Sequence, residues 1–294
     1  MKRNFLLVAI ATIGTQLSLL AQPPVSSVKE KSIVLHGNTR LKYVEQGNKK
    51  GMPVIMLHGI TDSWHSYDLV MPYLTGDAHF YIISQRGHGN SDRPASGYRP
   101  DDFADDIAAF MQQLRIRSAL IVGHSMGATI AQNFAIRYPE LTKGLVLIGS
   151  FANFHNNPGL EEFSKVVSQL SDPVDPQFAK EFQQSTLTKT VPPAFFDTVV
   201  NESAKVPAHV WQGVMNEFNK VDYIRQLKEV KKPTLIFWGD KDLFALRVDQ
   251  DMLHGAIPGS VLVVYEGTGH AVHWEEPGRF AWDLASFIKQ LSNR

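Results

Sequence analysis

Gly123-His124-Ser125-Met126-Gly127 follows the apolar run Ala119-Leu120-Ile121-Val122 and leads into Ala128-Thr129-Ile130-Ala131-Gln132-Asn133-Phe134-Ala135. A buried-type strand, a Gly-x-Ser-x-Gly turn and a helix in direct succession form a nucleophile elbow. Such a turn imposes unusual backbone angles on its serine. The flanking glycines remove the Cβ atoms that would collide where strand and helix pass close together. Ser125 is therefore expected at the carboxyl end of its strand, beside a helix N-terminus.

A serine hydroxyl is a weak nucleophile until a base takes its proton and an acid orients that base. Candidates for both lie further along the chain. Pro233-Thr234-Leu235-Ile236-Phe237-Trp238 reads as a strand and opens into Gly239-Asp240-Lys241-Asp242. A second run, Val261-Leu262-Val263-Val264-Tyr265, opens into Glu266-Gly267-Thr268-Gly269-His270. Parallel strands would carry both loops to the sheet edge that holds Ser125, where ligand sites form in open α/β sheets. On position alone, Asp240 and Asp242 both qualify as the acid.

The remaining strands follow the same rhythm. Ser32 to Leu35 and Leu41 to Glu45 read as a hairpin around Gly37-Asn38, residues that tight strand connections favour. Further strands fall near Val54 to His58, Phe80 to Ile83, Ala119 to Gly123 and Gly144 to Ile148. Helical patterns intervene, as in Asp102 to Leu114, where Phe103, Ile107, Phe110, Met111 and Leu114 recur at helical spacing. Strands alternating with helices imply a mainly parallel sheet covered on both faces. From Ile148 to Thr234 no buried strand is legible. A structureless loop of that length is foreign to a compact domain, so the segment should fold as a unit of its own. Leu160 to Leu170 and Pro176 to Gln184 look helical, with breaks at Asp172-Pro173, Pro192-Pro193 and Pro207.

Four segments, Leu57-His58-Gly59-Ile60, Arg86-Gly87-His88-Gly89-Asn90-Ser91, the elbow, and Trp238-Gly239-Asp240-Lys241-Asp242 with Gly269-His270, occur in an order and spacing that resemble the α/β-hydrolase superfamily. The resemblance runs over nearly the whole chain after about residue 30 and is to the branch with a helical cap, which includes small esterases and cofactor-free haloperoxidases. It implies an α/β-hydrolase fold, a mainly parallel eight-stranded sheet flanked by helices with a helical cap insertion. The implied organisation is a core over 22–150, a cap over 151–221 and the rest of the core over 222–294. It implies the chain order serine, acid, histidine, with Asp242 as the acid, Asp240 as its neighbour and competitor, and His270 as the base. One oxyanion donor is expected at the Met126 N–H, at the start of the elbow helix. The resemblance places the other at the Ile60 N–H. His58 is expected to brace that loop. Where relatives commonly carry aspartate two positions before the Arg-Gly of the second segment, this chain has Ser84.

Relatives that displace halide or open epoxides place an aspartate at the elbow, and Ser125 is not a carboxylate. The resemblance therefore implies acyl transfer, with a small to medium, largely apolar carboxylic ester or lactone as substrate. Haloperoxidase or perhydrolase chemistry and carbon–carbon bond hydrolysis remain open on the same residues. A non-catalytic small-molecule binding protein is the alternative from another class. Trp64 and Trp274, near the oxyanion and histidine loops, and Phe151, Phe154 and Trp211 in the cap are the expected substrate-contacting residues. Phe178, Phe182, Phe195, Phe196 and Phe218 are expected either to line the same apolar pocket or to pack cap against core. His270 and His273 are spaced like helical metal ligands but fall in a post-strand loop without an evident third ligand. No metal and no cofactor is expected.

The chain has 294 residues with 29 basic and 29 acidic side chains. Nothing in it forms a basic stripe of the kind that binds nucleic acid. Lys2 and Arg3 precede a predominantly apolar stretch from Phe5 to Leu20, and Ala21 is suited to cleavage before Gln22. Residues 1–21 thus read as a secretory signal peptide. The competing reading is a membrane anchor, but Thr12, Gly14, Thr15, Gln16 and Ser18 interrupt the stretch. The sequence contains no cysteine, so neither a disulfide framework nor a lipoprotein attachment site is available. A bacterial periplasmic or secreted protein, not held in the membrane after cleavage, is the expectation.

Overall fold

The computed structural model of the chain describes residues 28–35, 37–154 and 157–293. The segment read as a signal peptide lies outside the described residues. Eight strands form one sheet: β1 (Lys31–Val34), β2 (Arg40–Gly47), β3 (Met52–Leu57), β4 (Ala78–Ser84), β5 (Ala119–His124), β6 (Thr142–Ile148), β7 (Thr234–Gly239) and β8 (Val261–Tyr265). Their spatial order is β1-β2-β4-β3-β5-β6-β7-β8. The first two strands run antiparallel to their neighbours, and all pairs from β4 to β8 are parallel.

Period-two alternation along the central strands explains why both faces of this sheet need cover. Ile55, Leu57, Ile121, Leu145 and Leu147 enter one core. Val54, Met56, Leu120, Val122, Val146 and Ile148 enter the other. The helices supplying cover include α1 (Pro100–Gln113), α2 (Met126–Arg137) and, near the C-terminus, α8 (Arg247–Ala256) and α10 (Pro277–Ser292), with the single turns α7 (Ile224–Leu227) and α9 (Val272–Glu275) between them. Pro100 opens α1 where its missing N–H costs nothing, and the Asp102 carboxylate accepts the Arg99 N–H at 2.9 Å. Every residue from Met126 to Ala135 in α2 is buried, as befits a helix lying directly on the sheet.

Four helices fill the interval between β6 and β7: α3 (Pro158–Ser168), α4 (Pro176–Ser185), α5 (Pro193–Ala204) and α6 (Ala208–Phe218). Of the three proline breaks read in the sequence, two are helix starts, Pro192-Pro193 at α5 and Pro207 at α6, and Pro173 opens none. Pro158, Pro176 and Pro193 each occupy the first turn, where proline's fixed φ suits a helix. Asn157 and Asp175 cap the first two of these helices, accepting the Leu160 and Gln177 N–H groups. Sequence periodicity singles out α3 and α4 but not α5 and α6.

Candidate active site

The β-strand order brings four loops to one edge as two adjacent pairs on either side of β6. Those after β3 and β5 are neighbours, and those after β7 and β8 are neighbours, all at the carboxyl ends of parallel strands. Ser125 follows β5 with φ 52° and ψ −115°, a left-handed backbone that is strained for a residue with a side chain. Its N–H donates to the Ile148 carbonyl at 2.9 Å, and its carbonyl accepts the Ala128 N–H at 2.9 Å, so the elbow is fixed from both sides. Close approach is essential here. A Cβ on Gly127 would lie 2.5 Å from the Leu57 carbonyl oxygen, which ties the elbow helix tightly to β3.

His270 and Asp242 meet across the next two loops. His270 Nδ1 lies 2.8 Å from Asp242 Oδ2, and since a carboxylate can only accept, the imidazole carries its proton on Nδ1. The other oxygen, Asp242 Oδ1, accepts the Phe244 and Ala245 N–H groups at 2.8 and 3.0 Å. Asp240 is employed elsewhere: its Oδ1 accepts the Gly267 N–H at 2.6 Å. The imidazole of His270 rests on bare backbone, because a Cβ on Gly149 (φ 51°) would come within 2.8 Å of Nδ1. Phe244 and Phe151 flank the ring at centroid distances of 5.3 and 5.9 Å.

Ser125 and His270 face one cavity, with Ile60, Met126 and Gly59 in its wall. Among the described residues no hydrogen bond takes up the Ile60 N–H. Met126 begins α2, where first-turn N–H groups lack a partner within the helix. His58 braces this loop as a neutral ring: Nδ1–H donates to the Gly59 carbonyl at 2.7 Å and Nε2 accepts the Gln85 N–H at 3.0 Å. Burial holds its pKa well below the ordinary histidine value. The Arg86 segment shapes its own loop. Arg86 grips Asp106 with two bonds of 2.6 Å, and Asp92 accepts the Arg40 N–H at 2.8 Å. Ser84, at the position where relatives carry aspartate, accepts the Trp64 N–H at 3.1 Å.

Of the residues expected to touch substrate, Phe151, Phe154 and Trp274 line the cavity, whereas Trp64 and Trp211 do not. Trp64 stacks on His65 at 3.7 Å and donates its indole N–H to Glu30 at 3.0 Å, away from the site. Trp211 is fully buried behind the wall. Its indole N–H is satisfied by the Val206 carbonyl at 3.1 Å, and its ring packs on Phe178 and Phe182. Phe182 and Phe218 do reach the cavity, together with Phe163, Phe244, Val214 and Met215, which sequence reasoning passed over. Helical periodicity marks such side chains as buried without saying against what. His273 hydrogen-bonds Ser66 Oγ at 3.3 Å, and burial lowers its pKa to about 3. Among the described residues no group of three or more metal-type ligands is assembled.

Asp62 is the unforeseen polar member of this wall. It is buried between the β3 loop and α4, accepting from Gln183 Nε2 at 2.9 Å and from Ser66 Oγ at 3.2 Å. Burial outweighs those bonds and pushes its pKa up to about 7. The unfolded chain releases this proton near 3.8, so folding stability falls as pH rises from about 4 to about 7 and carries the whole cost above that. The cost is roughly 4 kcal/mol at most. Asp62→Asn keeps an acceptor for Gln183 but has no proton to lose. Its melting temperature is expected to exceed that of the parent at pH 8 and to match or fall below it at pH 4. A pH-independent difference between the two proteins would refute a proton-holding Asp62.

A family model described as alpha/beta hydrolase fold matches residues 52–277. The AB hydrolase superfamily protein YisY of Bacillus subtilis (strain 168) is 27% identical over 256 residues, covering 83% of this chain and 92% of its own. Lipase 1 of Psychrobacter immobilis is 25% identical over 277 residues, covering 89% of this chain and 84% of the lipase. Among solved structures, the esterase EaEST from Exiguobacterium antarcticum superposes with a TM-score of 0.79 at 25% identity, over 89% of this chain and all of the esterase.

Proposed function

The chain belongs to the alpha/beta-hydrolase family, and from that premise we propose that it is a serine hydrolase cleaving a small to medium, largely apolar carboxylic ester or lactone through an acyl-enzyme. One observation carries the reading: an Asp242-oriented imidazole shares a cavity with a serine on a strained elbow. Ser125 Oγ attacks the carbonyl carbon as His270 Nε2 takes its proton, and Asp242 stabilises the imidazolium that forms. The Ile60 and Met126 N–H groups receive the developing oxyanion. Donors of this kind are worth about 2.7 to 4 kcal/mol each. Collapse expels the alcohol, protonated by His270. The same imidazole then draws a proton from water, whose oxygen attacks the acyl-enzyme to release the acid and restore Ser125.

Every step uses side chains and backbone of this chain, with no metal or cofactor. In this reading residues 151–221 form a cap, and Phe151, Phe154, Phe182 and Phe218 give the cavity its apolar character, which favours aryl or short acyl groups over polymers. The lipase and the esterase it resembles are named for chemistry of this class. With residues 1–21 as an export signal, the enzyme would meet its substrate in the periplasm or outside the cell.

Fluorophosphonate treatment of the purified mature chain should label Ser125, and p-nitrophenyl esters and lactones should be turned over. An unlabelled wild-type protein would reject the activated serine. Bromination with peroxide and bromide in the absence of any ester hydrolysis would replace the esterase reading with the haloperoxidase one.

A further inference from the structure

One short stretch at the end of α4, from Gln183 to Lys189, is bonded on one side to the loop after β3 and on the other to the loop after β8. Toward β3, Gln183 Nε2 donates to Asp62 Oδ1 at 2.9 Å and to Ser203 Oγ of α5 at 2.7 Å. Ser203 Oγ lies in turn 2.8 Å from Thr61 Oγ1. Toward β8, the Thr186 carbonyl accepts the N–H of His270 itself at 2.9 Å. The Glu275 carboxylate accepts both the Thr188 N–H at 2.7 Å and the Gly269 N–H at 3.1 Å. Thr61, Asp62, Gln183, Ser203 and His270 are all buried.

Thr61 has φ 70°. A β-branched residue holds that left-handed backbone only where its surroundings enforce it. The hydroxyl of Thr61 and the carboxylate of Asp62 are both held from α4 and α5, and the residue before Thr61 is Ile60. The direction of the Ile60 N–H therefore depends on a strained turn that the core of the protein does not hold alone.

We propose that Gln183 and Ser203 are positioning residues of the active site: they hold the Thr61–Asp62 turn so that the Ile60 N–H is indexed to the His270 loop through the helical insertion. This rests on the serine-hydrolase reading above. Without the Gln183 amide, the buried Asp62 oxygen loses its partner and the turn relaxes. Relaxation moves a donor that acts on the oxyanion, so the loss falls on the transition state and leaves ground-state binding of a small substrate nearly untouched.

Gln183→Met keeps length without hydrogen bonding, and Ser203→Ala removes one hydroxyl. With p-nitrophenyl acetate, each is expected to lower kcat about 10- to 100-fold, and Ser203→Ala, at a position outside the cavity lining that includes Gln183, should leave KM little changed. The rate of fluorophosphonate labelling at Ser125 should fall in parallel. The double variant should lose less than the product of the single losses, because both side chains act on one turn. Folded variants labelled at the wild-type rate, or showing raised KM with unchanged kcat, would overturn the positioning role. Should Gln183→Met fail to fold, Ser203→Ala decides the matter. A wild-type chain that is neither labelled nor active on esters would instead bring down the serine-hydrolase reading and this inference with it.

Discussion

Ser125→Ala is expected to abolish ester turnover, lowering kcat by about 10⁶-fold where the chemical step limits the rate. Among the described residues lining the cavity the other hydroxyl is that of Thr186, whose Oγ1 donates to the Gln183 carbonyl at 2.7 Å. Thr129 lies a turn further into α2 with its backbone N–H bonded to the Ser125 carbonyl, and Ser150 Oγ accepts from Gln132. The elbow is held by backbone bonds to Ile148 and Ala128 rather than by the serine side chain, so the variant should fold as the parent does. Turnover of p-nitrophenyl butyrate, the melting curve and fluorophosphonate labelling together check this. A stable Ser125→Ala protein that retains a tenth of the parental kcat would exclude nucleophilic catalysis by this residue.

Asp242→Asn is expected to cost about 10⁴-fold in kcat, the scale seen when the acid of such a triad becomes an amide. The size of the effect follows from the bonds around Asp242. Its Oδ1 accepts two backbone N–H groups, from Phe244 and Ala245, and only an oxygen can occupy that position. The asparagine must therefore turn its NH₂ toward His270 Nδ1. An NH₂ group can only donate there, so the imidazole keeps its proton on Nε2 and cannot accept one from Ser125. Binding of a non-reacting ester analogue should be little changed, since the fault lies in a tautomer and not in the cavity. Activity within tenfold of the parent would mean that Asp242 does not set the protonation of His270.

Much of the fold was legible because its signals are local. The run Val261 to Tyr265 is recovered as β8 without a residue's change; β2, β4, β5, β6 and β7 extend beyond the expected ends, and β1 and β3 are displaced toward the N-terminus, ending at Val34 and Leu57 rather than at Leu35 and His58. In each, an apolar stretch of strand length ends at a glycine or polar loop. The helices α5 and α6 were not legible in the same way. Pro192-Pro193 and Pro207 look like interruptions in sequence, yet they mark helix starts, and proline serves either purpose until the next turn is built.

The sequence by itself determined the parallel sheet, the elbow at Ser125 and the approach of His270 to the loop that carries Asp240 and Asp242, because strand direction alone carries the loops after β5, β7 and β8 to one edge. Only the tertiary structure decided what surrounds them. Trp64 and Trp211 turn away from the cavity, and Asp62 and Gln183, 121 residues apart, meet in its wall. Periodicity specifies that a side chain is buried. Its partner is chosen by how separate elements pack, and no property of either segment alone contains that choice.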